Sequence, residues 1–160
     1  DSGPGSWRNI AVANLPGGSL TAVFLTHYHS DHMGGLGETI TQSWIAGRAQ
    51  PLDVYGPPGV ERVVKGFVEA YALDASYRTE HHTEQYMPSR AAGAVAKTIP
   101  ASDLVPVFER NGLVVKAFAV PHEPASPAVG YRVEFGGNIV VFTGDAAASP
   151  AITKAAAGAD

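Results

Sequence analysis

Between Phe24 and Leu36 the chain reads FLTHYHSDHMGGL, which places three histidines and an aspartate within six residues, directly behind an apolar run. That run, Leu20–Thr26, is β-branched and aromatic and is bounded by glycine, the pattern of a short buried strand. The cluster therefore belongs at the C-terminal end of a strand. His27 and His29 are two residues apart, and on extended backbone their side chains share a face and can chelate one divalent ion. Asp31 and His32 fall on the following turn, where they can face a second ion. Gly34 and Gly35 leave room around such a centre, and a helix starting near Met33 would turn its positive end toward an anionic group. With no cysteine in the chain, any metal must bind through imidazole and carboxylate. That donor set suits zinc, with manganese and iron as rivals.

The rest of the chain reads as strands interleaved with helices, followed by a run of strands, the order of an α/β fold built in layers. Helices are expected over WRNIAVANL, over GLGETITQSWIAGR, over GVERVVKGFVEAYAL and after Ser149-Pro150. Strands are expected over LDVYGP, LVVKAFAVPH, AVGYRVEF and NIVVFTGD, with a tight hairpin at Gly136-Gly137-Asn138 between the last two. Residues 76–93 are polar and irregular and read as a long loop, from which His81, His82 and Arg78 can reach a site.

Composition narrows the functional classes. At 160 residues, 45% hydrophobic and 16% charged, the chain is expected to form a single soluble globular domain over 1–160. No apolar run approaches the ~20 residues of a membrane helix, and the opening DSGPGSW has neither the basic start nor the apolar stretch of a signal peptide. The absence of cysteine fits cytoplasm or periplasm alike. Net charge is −4, and the eleven lysines and arginines are scattered rather than gathered in a stripe, which disfavours a nucleic-acid partner.

The stretch THYHSDHMGG, with its H-x-H-x-D-H pattern, resembles the metallo-β-lactamase fold superfamily. The resemblance implies an αββα sandwich and requires a later histidine and a later aspartate, each at a strand end. AVPHEP supplies His122 and IVVFTGDA supplies Asp145, in that order. Carried over position by position, His27, His29 and His122 match the ligands of a first metal, Asp31 and His32 those of a second, and Asp145 the carboxylate that bridges them. By the same analogy Asp31 orients or deprotonates the attacking water. The di-iron redox branch carries glutamate where this chain has His29, so the resemblance implies a hydrolase, with two zinc ions in the complete protein. Within the superfamily, VYGPPG, HEPASPAVGYR and VVFTGDA look like the ribonuclease Z and arylsulfatase-like group.

Two departures from that group set further expectations. A tRNA-processing ribonuclease Z has a long insertion, including a tRNA-gripping arm, between the third histidine and the bridging aspartate, whereas only 22 residues separate His122 from Asp145. Together with the acidic balance, this favours a smaller ester: a phosphodiester, a sulfate ester or a lactone. Family members also have a hairpin before DSGPG and a strand and final histidine after GAD, so the chain is expected to be truncated at both ends. The second ion would then be one protein ligand short, a ligand that His82 or a neighbouring copy in a homo-oligomer would have to supply. Arg78 is a candidate contact for an anionic substrate group, and Thr26 a support for the His27 ring. The competing readings are a metal-binding fragment without turnover, a β-lactam hydrolase and a tRNA 3′-processing nuclease.

Overall fold

The computed structural model describes residues 1–160. In chain order the elements are α1 (Ser6–Val12), β1 (Ala22–Phe24), α2 (Ser30–Met33), α3 (Leu36–Ile45), β2 (Leu52–Gly56), α4 (Val60–Ala70), α5 (Ala72–Tyr86), β3 (Ala94–Thr98), β4 (Val105–Arg110), β5 (Leu113–Val120), β6 (Ala128–Phe135), β7 (Asn138–Phe142) and α6 (Pro150–Ala155). They form two sheets. The first is parallel, in the order β1-β2-β3; the second is an antiparallel meander, β4-β5-β6-β7.

Side-chain alternation along the strands explains the layering. In β1 and β2, Val23, Leu52 and Val54 point to one face, where they are buried with Leu36 and Ile40 of α3 and Val60 and Val64 of α4. The intervening residues Phe24 and Tyr55 point the other way, stack on each other with ring centroids 4.9 Å apart, and pack against Val115, Val129 and Tyr131 of the second sheet. The outer face of that sheet carries Phe118, Val120 and Ala128, covered by Ala155 of α6. Helices, sheet, sheet and helix thus stack in the expected αββα order.

The two sheets are also tied by hydrogen bonds to backbone carbonyls at the strand end that matters for the site. The Tyr131 hydroxyl donates to the Leu25 carbonyl at 2.6 Å, and Val129 N donates to the Thr26 carbonyl at 2.9 Å. Tyr131 is buried, as is Trp44; Arg132, its side chain mostly covered, pairs with Glu134 and donates to the Ala155 and Ala157 carbonyls at the end of α6. The β6–β7 hairpin closes through Gly136 and Gly137, both at positive φ (58° and 88°), with Phe135 paired to Asn138. A two-residue turn with both central residues left-handed matches the twist of the flanking strands, and glycine adopts it without steric cost.

Three local expectations are corrected. Residues 76–93 are not a loop: most of the segment belongs to α5. The helix has no buried residue and so shows no apolar period; good helix formers and an i,i+4 pair between Asp74 and Arg78 (2.8 Å) support it. Thr83 interrupts it at φ 71°. The helix behind the histidines starts at Ser30 rather than near Met33, so Asp31 and His32 sit inside one helical turn. A single turn sums few peptide dipoles, and the positive end expected at Met33 has little weight. Finally, β3 and β4 form edge strands that the pattern did not mark. Pro106 and a register shift at Pro106/Phe108 fit an edge, where a missing N–H costs no ladder bond.

Candidate metal centre

Beyond β1 the chain bends at Thr26 and reaches His29, which caps α2 in an extended conformation at φ −67° and ψ 149°. His27 and His29 consequently turn their rings to one side, with His27 Nε2 3.0 Å from His29 Nδ1. His122, on the loop after β5, brings its Nε2 to 3.3 Å from the same His29 nitrogen. His27, His29, His122 and Asp145 each offer one donor atom, and these atoms all lie within 4.8 Å of one another. A second group, equally tight, consists of Asp31, His32 and Asp145. Asp145, which follows β7, is common to both. His32 Nε2 stands 3.2 Å from Asp145 Oδ1 and 3.6 Å from Asp31 Oδ2.

The back of the cluster fixes which nitrogen each ring presents. Thr26 Oγ1 is 3.0 Å from His27 Nδ1, leaving Nε2 to face inward. Asp1 Oδ2 lies 2.9 Å from His32 Nδ1, leaving that Nε2 toward Asp31 and Asp145. The same Asp1 carboxylate accepts from Thr26 N at 2.7 Å and from Thr26 Oγ1 at 3.0 Å. Rings that must offer a chosen nitrogen are usually held this way from behind. Gly144, at φ 59°, brings the Asp145 loop against Thr26, where a Cβ would stand 2.9 Å from the threonine side chain.

His27 is buried. Burial first, and then the neighbouring His32, His122 and His29 rings, lower its pKa from 6.5 to about 4, with Asp145 acting in the opposite direction. The ring is thus neutral at physiological pH, the form that binds a metal. All donors are nitrogen or oxygen, and three imidazoles with one carboxylate, their donor atoms within 4.8 Å of one another, are a donor set that suits a divalent ion such as zinc.

The structure brings together six of the expected site residues and leaves two apart. His27, His29, His122, Asp31, His32 and Asp145 converge. His82 lies exposed on α5, its ring against His81 at 4.6 Å, and belongs to neither donor group. The Arg78 guanidinium is engaged by Asp74 on the same helix. Asp1 is the participant that motif reasoning did not single out; only its position 31 residues from His32, closed by the fold, reveals it. A cavity of about 630 Å³ opens between the sheets behind Thr26 and Gly144 and is lined by none of the six donors.

A parallel and an antiparallel sheet packed face to face, helices outside, and a histidine–aspartate cluster at the strand ends define a metallo-β-lactamase-type domain. The family model for the metallo-beta-lactamase superfamily matches residues 1–158, and the chain belongs to that superfamily. Among curated proteins it is similar to Ribonuclease Z of Mycobacterium marinum, at 34% identity over 99% of this chain and 56% of the relative. Ribonuclease Z of Mycobacterium bovis is 32% identical over all of this chain and 56% of its own length. The chain thus spans a little over half the length of these relatives. Among solved structures, human tRNase Z, short form, superposes with a TM-score of 0.72 at 22% identity, over all of this chain and 63% of that one. The metallo-beta-lactamase fold protein YhfI of Bacillus subtilis gives 0.63 at 19% identity, over all of this chain and 55% of that one. These two likenesses establish the αββα fold, and the ribonuclease Z relatives agree with the branch expected from VYGPPG and HEPASPAVGYR.

Proposed function

We propose that this chain carries the metal centre of a metal-dependent phosphodiester hydrolase. The observation that carries the reading is the sharing of Asp145 between two donor groups, His27–His29–His122 and Asp31–His32. Two ions would be held there, the first by the three imidazoles, the second by Asp31 and His32, with Asp145 between them. Divalent ions in such a centre polarise a phosphoryl group and make water more acidic.

The chain's own residues do the rest. Thr26 and Asp1 hold the imidazoles of His27 and His32 in the tautomers that face the centre. Asp31, three-quarters exposed, is the carboxylate open to the substrate side, and it takes the proton of the attacking water. Of the three ester classes expected from the sequence, the phosphodiester is favoured by the relatives named Ribonuclease Z. A tRNA 3′ end is the second reading, supported by the same names. Against it stand the net charge of −4 and the 22 residues between His122 and Asp145, which are taken up by the loop, β6, its hairpin, β7 and the turn to Asp145. The smaller diester is therefore the primary substrate class.

The test uses the full-length protein with zinc, assayed on methyl 4-nitrophenyl phosphate and on a tRNA precursor with a 3′ trailer. Diester turnover is expected, and Asp31→Ala should lower it by about a hundredfold or more while far-UV circular dichroism stays unchanged. Undiminished hydrolysis in Asp31→Ala refutes the assignment. Zinc binding without turnover on either substrate would instead mark a metal-binding protein without hydrolase activity.

A further inference from the structure

Beside the donor cluster lies a separate cavity of about 320 Å³, one side of which is formed by His27 and His29. Its other walls come from two loops. Pro58 stands on the loop after β2, and Pro124, Ala125, Ser126 and Pro127 form the loop after β5. Tyr28, between the two histidines, completes the lining. Proline has no N–H to offer, the Ala125 side chain is a methyl, and no lysine, arginine, aspartate or glutamate lines the space. Such walls offer a phosphate no lysine or arginine to pair with. They suit a flat apolar group, with the Ser126 hydroxyl as a polar handle.

Both walls are fixed to the histidine segment. The Tyr28 hydroxyl donates to the Pro57 carbonyl. The glycines flanking that turn, Gly56 at the end of β2 and Gly59 ahead of α4, press so closely on Tyr28 that a Cβ on Gly56 would stand 2.8 Å from its hydroxyl, and one on Gly59 3.2 Å from its ring. On the opposite side, Val129 N binds the Thr26 carbonyl at 2.9 Å, and within the loop Ser126 N closes on the Pro124 carbonyl at 3.0 Å. A preformed pocket of this size lies at the small end of ligand sites, with room for one ring system but not for several nucleotides.

We propose that this proline-walled cavity is the subsite for a flat aromatic group of the substrate ester, held there while the phosphate lies against the histidine–aspartate cluster; the inference rests on the phosphodiester reading. Specificity then resides in two loops that carry no metal donor except His122 at the root of the second. The ring is recognised by shape and apolar contact rather than by charge, as expected of a pocket with few convergent polar groups.

Calorimetric titration of the full-length, zinc-loaded protein with methylphosphonate, phenylphosphonate and uridine 5′-monophosphate tests the assignment. At least one aromatic ligand should bind about tenfold more tightly than methylphosphonate. A stronger phenyl arm identifies a small aryl ester, and a stronger uridine arm a nucleobase. Ala125→Trp should fill the cavity and cut the advantage to within about twofold. Pro58→Trp, on the opposite loop, is an independent block should the first variant fold poorly. Equal affinity for all three ligands, or an aromatic preference that survives both substitutions, overturns the proposal. Turnover of methyl 4-nitrophenyl phosphate by the same preparation separates the two levels. Turnover without aromatic preference removes the subsite alone, whereas aromatic preference without turnover removes the hydrolase reading and, with it, the assignment of the cavity to a substrate ester.

Discussion

The Asp1 carboxylate serves three donors at once, Thr26 N at 2.7 Å, Thr26 Oγ1 at 3.0 Å and His32 Nδ1 at 2.9 Å. It thereby orients His32 directly and, through the Thr26 hydroxyl, His27. Replacing it by alanine frees both rings to rotate without removing any donor. Asp1→Ala is therefore expected to weaken zinc retention by about 10- to 100-fold, measured by competition with a chromogenic chelator. Unchanged zinc affinity would show that the rings need no such support. His27 yields a second expectation at this scale. Its pKa in the folded chain is about 4, against 6.5 when free in solution. Between those values the unfolded state binds more protons than the folded one. In metal-free protein its contribution to stability is thus fully present above about pH 6.5 and declines as pH falls toward 4. Thermal melts across that range should show the decline, and His27→Asn should flatten it. Four of the six donors were readable in one short stretch because their spacing is local. His122 and Asp145 were readable only through the order a family resemblance demands. Asp1 was not readable, since its role depends on a contact across 31 positions that only the fold creates.

Arg48 shows how elements are locked together behind the site. The residue is 4% exposed, and its guanidinium donates to the Ile40 carbonyl of α3 at 2.9 Å, to the Ser43 hydroxyl at 3.0 Å and to the Ala91 carbonyl ahead of β3 at 3.0 Å, with a further bond to the Gln50 carbonyl. One side chain thus ties the end of α3 to the entries of β2 and β3. Arg48→Met keeps the aliphatic stem but leaves several carbonyls without a donor. It should destabilise the fold by about 3 kcal/mol, read as a lower urea midpoint with unchanged slope. A midpoint within error of the parent would rule out that locking role. Elements with an apolar period, such as α3, α4 and β5 to β7, were legible in the sequence because burial leaves a 3.6- or 2-residue rhythm. The α5 helix and the edge strands β3 and β4 bury too little to leave one. Their formation depends on local propensity, ion pairing and a neighbouring strand already in place.

At the scale of the whole molecule, the donors do not share one sheet. His27, His29, Asp31 and His32 follow β1 of the parallel sheet, while His122 and Asp145 follow β5 and β7 of the antiparallel one. Between the sheets the apolar contact is continuous around Phe24, Tyr55, Phe108 and Tyr131. At the strand ends it gives way to polar donors and to the cavity behind Thr26 and Gly144. An ion held from both sides would act there as a cross-link between the layers, in addition to its chemical role. Ligand that binds only the folded state stabilises it by mass action, about 2.7 kcal/mol at a free concentration 100 times its dissociation constant. For a domain of this size that corresponds to roughly 5–10 °C in melting temperature. Chelation of the zinc-loaded protein should therefore lower the melting temperature by about that amount, and readdition of zinc should restore it. His122→Ala removes the imidazole contributed from the antiparallel sheet and should abolish most of the zinc-dependent increment while leaving the metal-free melt nearly unchanged. Arg132→Met, which loosens the α6 contact on the far face, should lower both melts equally and leave the increment intact. A melting temperature indifferent to zinc and chelator would mean that the ions, if bound, do not join the two sheets.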